Sequence, residues 1–413
     1  MILFPGFMAR FAIAALCVIT LASCAVAPKK PDKFTPGDYS FVKRHISWLI
    51  KREADKRGIR GVSVALVDSG ETVWAEGFGF ADEAGKKPAT ERTLYRVGSI
   101  SKLFTMLGVM KLSENGRVNI DGAIADYIPG FSIKTRFADA PPITIRSVLT
   151  HHSGLPSDYA KGMWTDKPER FTSLIGLLKE EYAANPPGLV FSYSNVGFTL
   201  LGAVIENASG SRYEDYMDTH LLGPIGMKDS AFEIKPAMEP FVSKACTGNR
   251  EERLWPLRDI PAGGLYSNVM DLARFASHIM SGGGVVSDES LRETLKPQNV
   301  GVQLDFDYRV GLSWMLSWPG LDYAGPVINH SGATIAHRSV LAIIPGQKLG
   351  VVVLANTASA QGFVNMIAAE TLKLALEVKT GIKPPRKTED QPKEVEIPGE
   401  KLAEYAGYYV AGP

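Results

Sequence analysis

The stretch Val97-Gly98-Ser99-Ile100-Ser101-Lys102-Leu103-Phe104-Thr105 sets a serine three residues ahead of a lysine where a helix is expected to start. Apolar residues at Leu103, Phe104, Leu107, Met110 and Leu112, with Gly116 as a stop, predict one buried helical stripe. Three residues along a helix return nearly to the same face, so the Ser99 hydroxyl and the Lys102 amine can meet. A serine hydroxyl is a poor nucleophile until a nearby base takes its proton. Lysine can be that base once burial disfavours its charged form. Free N–H groups at the helix start suit a developing oxyanion. The spacing alone decides nothing, because Ser40-Phe41-Val42-Lys43 repeats it on an expected surface helix.

On either side of this helix the chain reads as α+β. Phe41, Val42, Ile46, Leu49 and Ile50 form a helical stripe that ends near Gly58. Val62, Val64 and Leu66 alternate, Asp68-Ser69-Gly70 turns, and Val73 to Gly77 returns as a hairpin. From Leu107 to about Val300 the signals are mostly helical with Gly- and Pro-rich joins. Strands are then expected at Val310–Leu316, His337–Ile344 and Leu349–Leu354, with a last helix over about Gly362–Leu376. The N- and C-terminal segments are thus predicted to share one antiparallel sheet flanked by helices, with a mostly helical subdomain inserted between them. Ligand sites favour such seams.

The ends read differently. Residues 1–23, with Arg10 as the only charge and an apolar core from Phe11 to Ser23, predict an export signal. Leu21-Ala22-Ser23-Cys24 resembles the bacterial lipobox, which implies a cleaved, acylated Cys24 and a membrane-held envelope protein facing the periplasm, with residues 24–37 as tether. The globular domain is expected over 38–380 and a Pro- and charge-rich linker over 381–400. Residues 401–413 read as a tail or as the opening strand of a further β-domain. A formal charge of +1 without a Lys/Arg run argues against nucleic acid as a partner. Cys17, Cys24 and Cys246 leave no basis for a disulfide framework.

A serine–lysine hydrolase needs a further proton carrier, a group to orient the amine, and a strand edge to hold the acyl group. Tyr193-Ser194-Asn195 offers the first two, and His330-Ser331-Gly332, ahead of the last hairpin, offers the third. In this order the three motifs resemble the serine β-lactamase-related family, which includes class C β-lactamases, D-Ala-D-Ala carboxypeptidases, D-aminopeptidases and family VIII esterases. The resemblance covers roughly residues 38–380. Leu149-Thr150-His151-His152-Ser153-Gly154-Leu155-Pro156, Leu222-Gly223-Pro224-Ile225-Gly226-Met227 and Pro261-Ala262-Gly263-Gly264-Leu265-Tyr266-Ser267 strengthen it. Tyr266-Ser267-Asn268 and His152-Ser153-Gly154 duplicate the second and third motifs. Order along the chain favours Tyr193 and His330, leaving His151, His152 and Tyr266 to packing and loop hydrogen bonds. Adjacent histidines point apart and no carboxylate or cysteine cluster joins them, which disfavours a metal.

The resemblance implies acyl transfer in two steps without metal or cofactor. Ser99 would attack, Lys102 with Tyr193 would take its proton, and Tyr193 would protonate the leaving group and activate water. Asn195 would bond Lys102 or the substrate amide. Ser331 and Gly332 would line the acyl site, and the N–H groups of Ser99 and Ala333 would form the oxyanion hole. One departure stands out: His330 occupies the place of the lysine in the Lys-Thr-Gly of β-lactamases. A neutral imidazole attracts a carboxylate less than an ammonium does, so peptides, amides or esters of D-amino acids are expected ahead of β-lactams. The rival expectation is a penicillin-binding-type sensor or cell-wall binding protein that acylates without turnover.

Overall fold

The computed structural model describes residues 26–282, 284–385 and 398–403. Helix α1 (Ser40–Arg57) buries Phe41, Val42, Ile46 and Ile50 and stops at Gly58, whose φ of 63° closes the helix in the left-handed region. Strands β1 (Gly61–Asp68) and β2 (Glu71–Asp82) follow, joined at Ser69 and Gly70, both with positive φ. That pair of conformations matches the twist of a tight antiparallel hairpin. After the short β3 (Lys87–Pro88) the chain enters its helical part and returns as β4 (Ile328–Ala333), β5 (Arg338–Ile344) and β6 (Leu349–Ala355).

The six strands form one antiparallel sheet in the order β3-β2-β1-β6-β5-β4. The first and last long strands lie side by side at its centre, with Val62 opposite Ala355 and Val64 opposite Val353. Alternation then sorts side chains between two cores. Val62, Val64, Leu66, Val340, Ala342, Val351 and Val353 face α1 and the last helix, α5 (Gln361–Thr380). Ala65, Val67, Leu341, Ile343, Val352 and Leu354 face the helical part. Both faces being covered, β1 and β6 are apolar at nearly every position rather than at every second one.

On that second face lies α2 (Ser101–Glu114), preceded by a single 3₁₀ turn, Gly98–Ile100. Every side chain from Ser101 to Met110 is buried, so the expected single stripe is corrected to a helix enclosed on all sides. Helix α3 (Asn195–Ser209) and α4 (Val269–Ser281) enclose it, with Phe104 against Phe275 at a centroid distance of 4.4 Å. Elsewhere in this part the helices are short or irregular: Ile145–Leu149 is little more than one turn, and Tyr213–Met217 continues through a π-helical stretch, Asp218–Leu222, into Gly223–Ile225.

Two further expectations are corrected. Val310–Leu316 is a tight loop, not a strand: Ser313 has φ 66°, the Gly311 N–H donates to the Trp314 carbonyl at 2.8 Å, and isolated bridges at Val310 and Met315 are its ladder contacts. Its apolar residues are there to seat Trp314, which is fully buried beside Phe275. Leu402 and Ala403 do not open a strand but end a short helix, Gly399–Ala403, which starts behind Pro398 with Glu400 in its first turn. The leader, Cys24 and residues 404–413 lie outside the described residues. Part of the expected tether is fixed in place, since Lys30 pairs with Glu377 of α5 at 2.6 Å and Phe34 packs on Phe41.

Candidate active site

The seam between sheet and helical part brings the three motifs together. Val97 leads from the Tyr95–Arg96 strand pair into the Gly98–Ile100 turn, and β4 passes directly alongside. The approach is too close for side chains. A Cβ on Gly98, which has φ 56°, would stand 2.7 Å from the Ala333 nitrogen. One on Gly332 would stand 2.0 Å from the Val97 carbonyl oxygen and 3.1 Å from the Ser99 nitrogen. The Ser339 hydroxyl adds a bond to the Val97 carbonyl at 2.7 Å. Glycine at these two positions therefore lets the Ser99 and Ala333 N–H groups stand at one edge of the same cleft.

Ser99 is half-buried at that edge, while Lys102, one turn deeper, is fully buried. The Lys102 Nζ lies 3.1 Å from Ser99 Oγ, 2.6 Å from Asn195 Oδ1 and 2.7 Å from the Ala262 carbonyl oxygen. Burial lowers its pKa to about 7, against a smaller opposite pull from the Asp158 and Asp259 carboxylates. Near neutrality much of the lysine is an uncharged amine. Its two N–H groups then have the Asn195 and Ala262 oxygens as acceptors, which leaves the lone pair for the Ser99 proton. Asn195 is itself held, donating from Nδ2 to Asp158 Oδ1 at 2.8 Å.

Tyr193 comes from the loop before α3. The Ser194 hydroxyl caps that helix by accepting the Gly197 N–H at 2.9 Å and donates to the Pro156 carbonyl at 2.7 Å. The phenol lies against His151, with ring centroids 4.1 Å apart and planes 26° from parallel, on the Ser99 side of the seam. Lys102 Nζ sits 4.9 Å from the Tyr193 ring centroid. Burial keeps the phenol protonated, well above the usual tyrosine range. His330 is buried on β4, its ring centroid 6.3 Å from that of Tyr193. Its Nδ1 is 2.6 Å from the Ser331 carbonyl oxygen, so Nδ1 carries the hydrogen and donates, while Nε2 is buried without a protein partner. Burial, with the nearby Lys102 charge, depresses its pKa to about 4, leaving a neutral imidazole at physiological pH.

The structure thus brings Ser99, Lys102, Tyr193, Asn195, His330, Gly332 and Ala333 together at one place. Ser99, Asn195 and Ala333 line a cleft of about 70 Å³ there, and Ser331 is half-buried on β4. The duplicated tripeptides lie in supporting roles. His152 Nε2 bonds Asp305 at 2.8 Å, and Asp305 also accepts the Phe191 N–H at 2.7 Å, steadying the Tyr193 loop. Tyr266 is bonded by Arg96, and Asn268 caps α4 through the Asp271 N–H. Sequence reasoning missed the Ala262 carbonyl, Asp158 and the Trp164 and Leu257 side chains that wall the cleft. A backbone oxygen leaves no side-chain signature, although Ala262 lies in Pro261–Ser267, one of the segments that carry the family resemblance. Among the described residues no cluster of three or more His, Cys, Asp and Glu side chains could hold a metal ion.

The chain is similar to known proteins. Residues 46–375 match the Beta-lactamase family. Protein flp of Staphylococcus aureus (strain MW2) is 27% identical over 337 residues, covering 76% of this chain and 63% of that protein. The chain therefore spans under two thirds of the length of that curated relative. The human mitochondrial serine beta-lactamase-like protein LACTB is 24% identical, over 80% of this chain and 78% of its own. Among solved structures, the octameric penicillin-binding protein homologue from Pyrococcus abyssi superposes with a TM-score of 0.71 at 28% identity, covering 83% of this chain and 78% of that one. A class C beta lactamase from Rhodobacter sphaeroides shares the fold with a TM-score of 0.67 at 21% identity, over 80% and 99% of the two chains. Because the family match reaches from α1 past the Ser99 turn, the Tyr193 loop and β4 into α5, this chain belongs to the Beta-lactamase family.

Proposed function

We propose that this chain is a serine hydrolase that works through an acyl-enzyme on a peptide, amide or ester of a D-amino acid. The observation that carries the reading is the buried Lys102 amine, 3.1 Å from Ser99 Oγ with its pKa lowered to about 7. Ser99 Oγ bonds to the substrate carbonyl carbon as its proton passes to the Lys102 lone pair. The Ser99 and Ala333 N–H groups receive the oxyanion. Collapse breaks the bond to the leaving group, which takes a proton from the Tyr193 hydroxyl, and Lys102 returns one to Tyr193. Water then attacks the ester, gives its proton to the same pair, and Ser99 recovers its hydrogen. The opposite pKa directions of the two groups favour Lys102 as base and Tyr193 as acid.

The neutral His330 supplies no charge for the carboxylate of a β-lactam, which supports acyl donors without that group at this position. Export and a lipid anchor at Cys24 complete the proposal. The test is a panel of D- and L-amino-acid anilides, short-chain p-nitrophenyl esters and nitrocefin, run against Ser99→Ala. Turnover of a D-anilide or ester that Ser99→Ala abolishes, with slow nitrocefin hydrolysis, is expected. Turnover surviving in Ser99→Ala refutes the mechanism, and efficient nitrocefin hydrolysis refutes the substrate class. A burst without steady-state release places the chain with the non-turnover binders.

A further inference from the structure

Behind one wall of the Ser99 cleft lies a buried cation without a counter-ion. Arg96 is 6% exposed. It donates to the Trp255 carbonyl at 2.7 Å and to the Tyr266 hydroxyl, and its guanidinium lies 5.4 Å from the Trp164 ring and 4.8 Å from the Tyr266 ring. These partners are all neutral. Its Nε is buried without a partner, and no described carboxylate pairs with it. The contrast with the other buried arginine is direct: Arg258 is locked to Asp259 through two bonds, 2.6 and 3.1 Å. A guanidinium taken out of water costs stability until an opposite charge completes it, and π-contacts offset only part of that.

Arg96 forms part of the wall of a cavity of about 510 Å³. Phe232, Ile234, Val242, Leu254 and Ile260 make its lining apolar, and Glu239 at the exposed rim is its acidic group. The cavity adjoins the reactive cleft, for Leu257 lines both and Trp164 lines the cleft while stacking on Arg96. We propose that this cavity is a binding site for an organic carboxylate with an apolar body, its head at the Arg96 guanidinium and its tail among Phe232, Ile234 and Val242. The planar guanidinium fork matches a carboxylate, the apolar lining selects against small inorganic anions, and a rim carboxylate in water is screened. A free fatty acid, or the far end of a molecule held at Ser99, presents the same chemistry.

The proposal stands independently of turnover, so it is tested by calorimetric titration of octanoate and octanamide into the intact protein and Ser99→Ala. Octanoate is expected to bind both proteins alike and at least tenfold more tightly than octanamide. Arg96→Gln should weaken octanoate at least tenfold and leave octanamide unchanged. Equal affinity for the two probes, or undiminished octanoate binding in Arg96→Gln, overturns the site. Should Arg96→Gln fail to fold, Ile234→Trp fills the cavity from its half-buried wall. Loss of octanoate with fluorophosphonate labelling of Ser99 retained supports the site, and retained octanoate binding overturns it. Octanoate binding that survives labelling of Ser99 marks a free carboxylate as ligand, and binding that labelling blocks marks the far end of a Ser99 substrate.

Discussion

The His151 ring lies flat against the Tyr193 phenol while its Nδ1 accepts the Ser194 N–H at 3.0 Å. One side chain thus fixes both the plane of the phenol and the backbone just behind it. His151 does so from a backbone with φ 61°, a conformation that non-glycine residues seldom adopt. Replacing His151 by Leu keeps bulk but removes the acceptor, leaving a buried N–H unpaired. Urea unfolding should show a loss of about 1–3 kcal/mol, and fluorophosphonate labelling of Ser99 should slow at least tenfold. Unchanged labelling would remove His151 from any positioning role.

Acylation should depend on pH through Lys102. Below a pH of about 7 the amine is protonated and has no lone pair for the Ser99 hydrogen; above it the neutral form accumulates. The labelling rate should therefore rise through neutrality, with its midpoint near 7. His330, with a pKa of about 4, adds no limb in that range. Stability should follow the same sign. The unfolded lysine keeps its proton to about pH 10.4 while the native one releases it near 7, so this group's cost of burial falls as pH rises between them. A flat labelling profile between pH 6 and 8 would contradict the base assignment.

Asn195→Asp places a carboxylate where Oδ1 now stands, 2.6 Å from Lys102 Nζ. An opposite charge at that distance favours the ammonium, typically by about 1–3 pKa units. The midpoint of the labelling profile should move to higher pH by about one unit or more, with little change in the limiting rate at alkaline pH. Asn195→Ala should slow labelling without moving the midpoint upward. Identical profiles for the two variants would show that Asn195 does not tune the amine.

Gly332→Ala tests the close approach of β4 to the Ser99 turn. Its methyl would meet the Val97 oxygen at 2.0 Å and the Ser339 hydroxyl at 2.3 Å, so the strand must move. Overpacking of this kind costs about 1–3 kcal/mol, and displacement of the Ala333 N–H should lower acylation about a hundredfold. Gly346→Ala, whose methyl meets nothing within 4 Å, serves as the control and should leave labelling unaltered.

How far the sequence foretold this arrangement differs from element to element. That Ser99, Lys102, Tyr193, Asn195 and His330 converge was legible because each is a polar side chain in a short pattern, and the order of patterns chose between duplicates. The sheet was legible because apolar runs at both ends of the chain had to cover each other. Val310–Leu316 misled because alternation also arises when a loop must bury Trp314, and a positive φ at Ser313 leaves no mark in composition. The single stripe expected for α2 failed because apolar residues were read as one face, whereas neighbours on every side also bury Ser101, Lys102 and Thr105. These polar residues are tied in by specific bonds: Ser101 to the Gly98 carbonyl, Thr105 to that of Pro261. Asp158 and Trp164 escaped because loop residues that fold over a cleft have no periodicity to betray them.

Pairing Val62 with Ala355 at the heart of the sheet dictates when the molecule can come into being. A ribosome must pass residue 355 before β1 has its full central neighbour, and until then the shelf beneath the Ser99 turn does not exist. Such distant pairing makes structure formation slow and late: no fragment that stops short of residue 328 can lay β4 against the Ser99 turn.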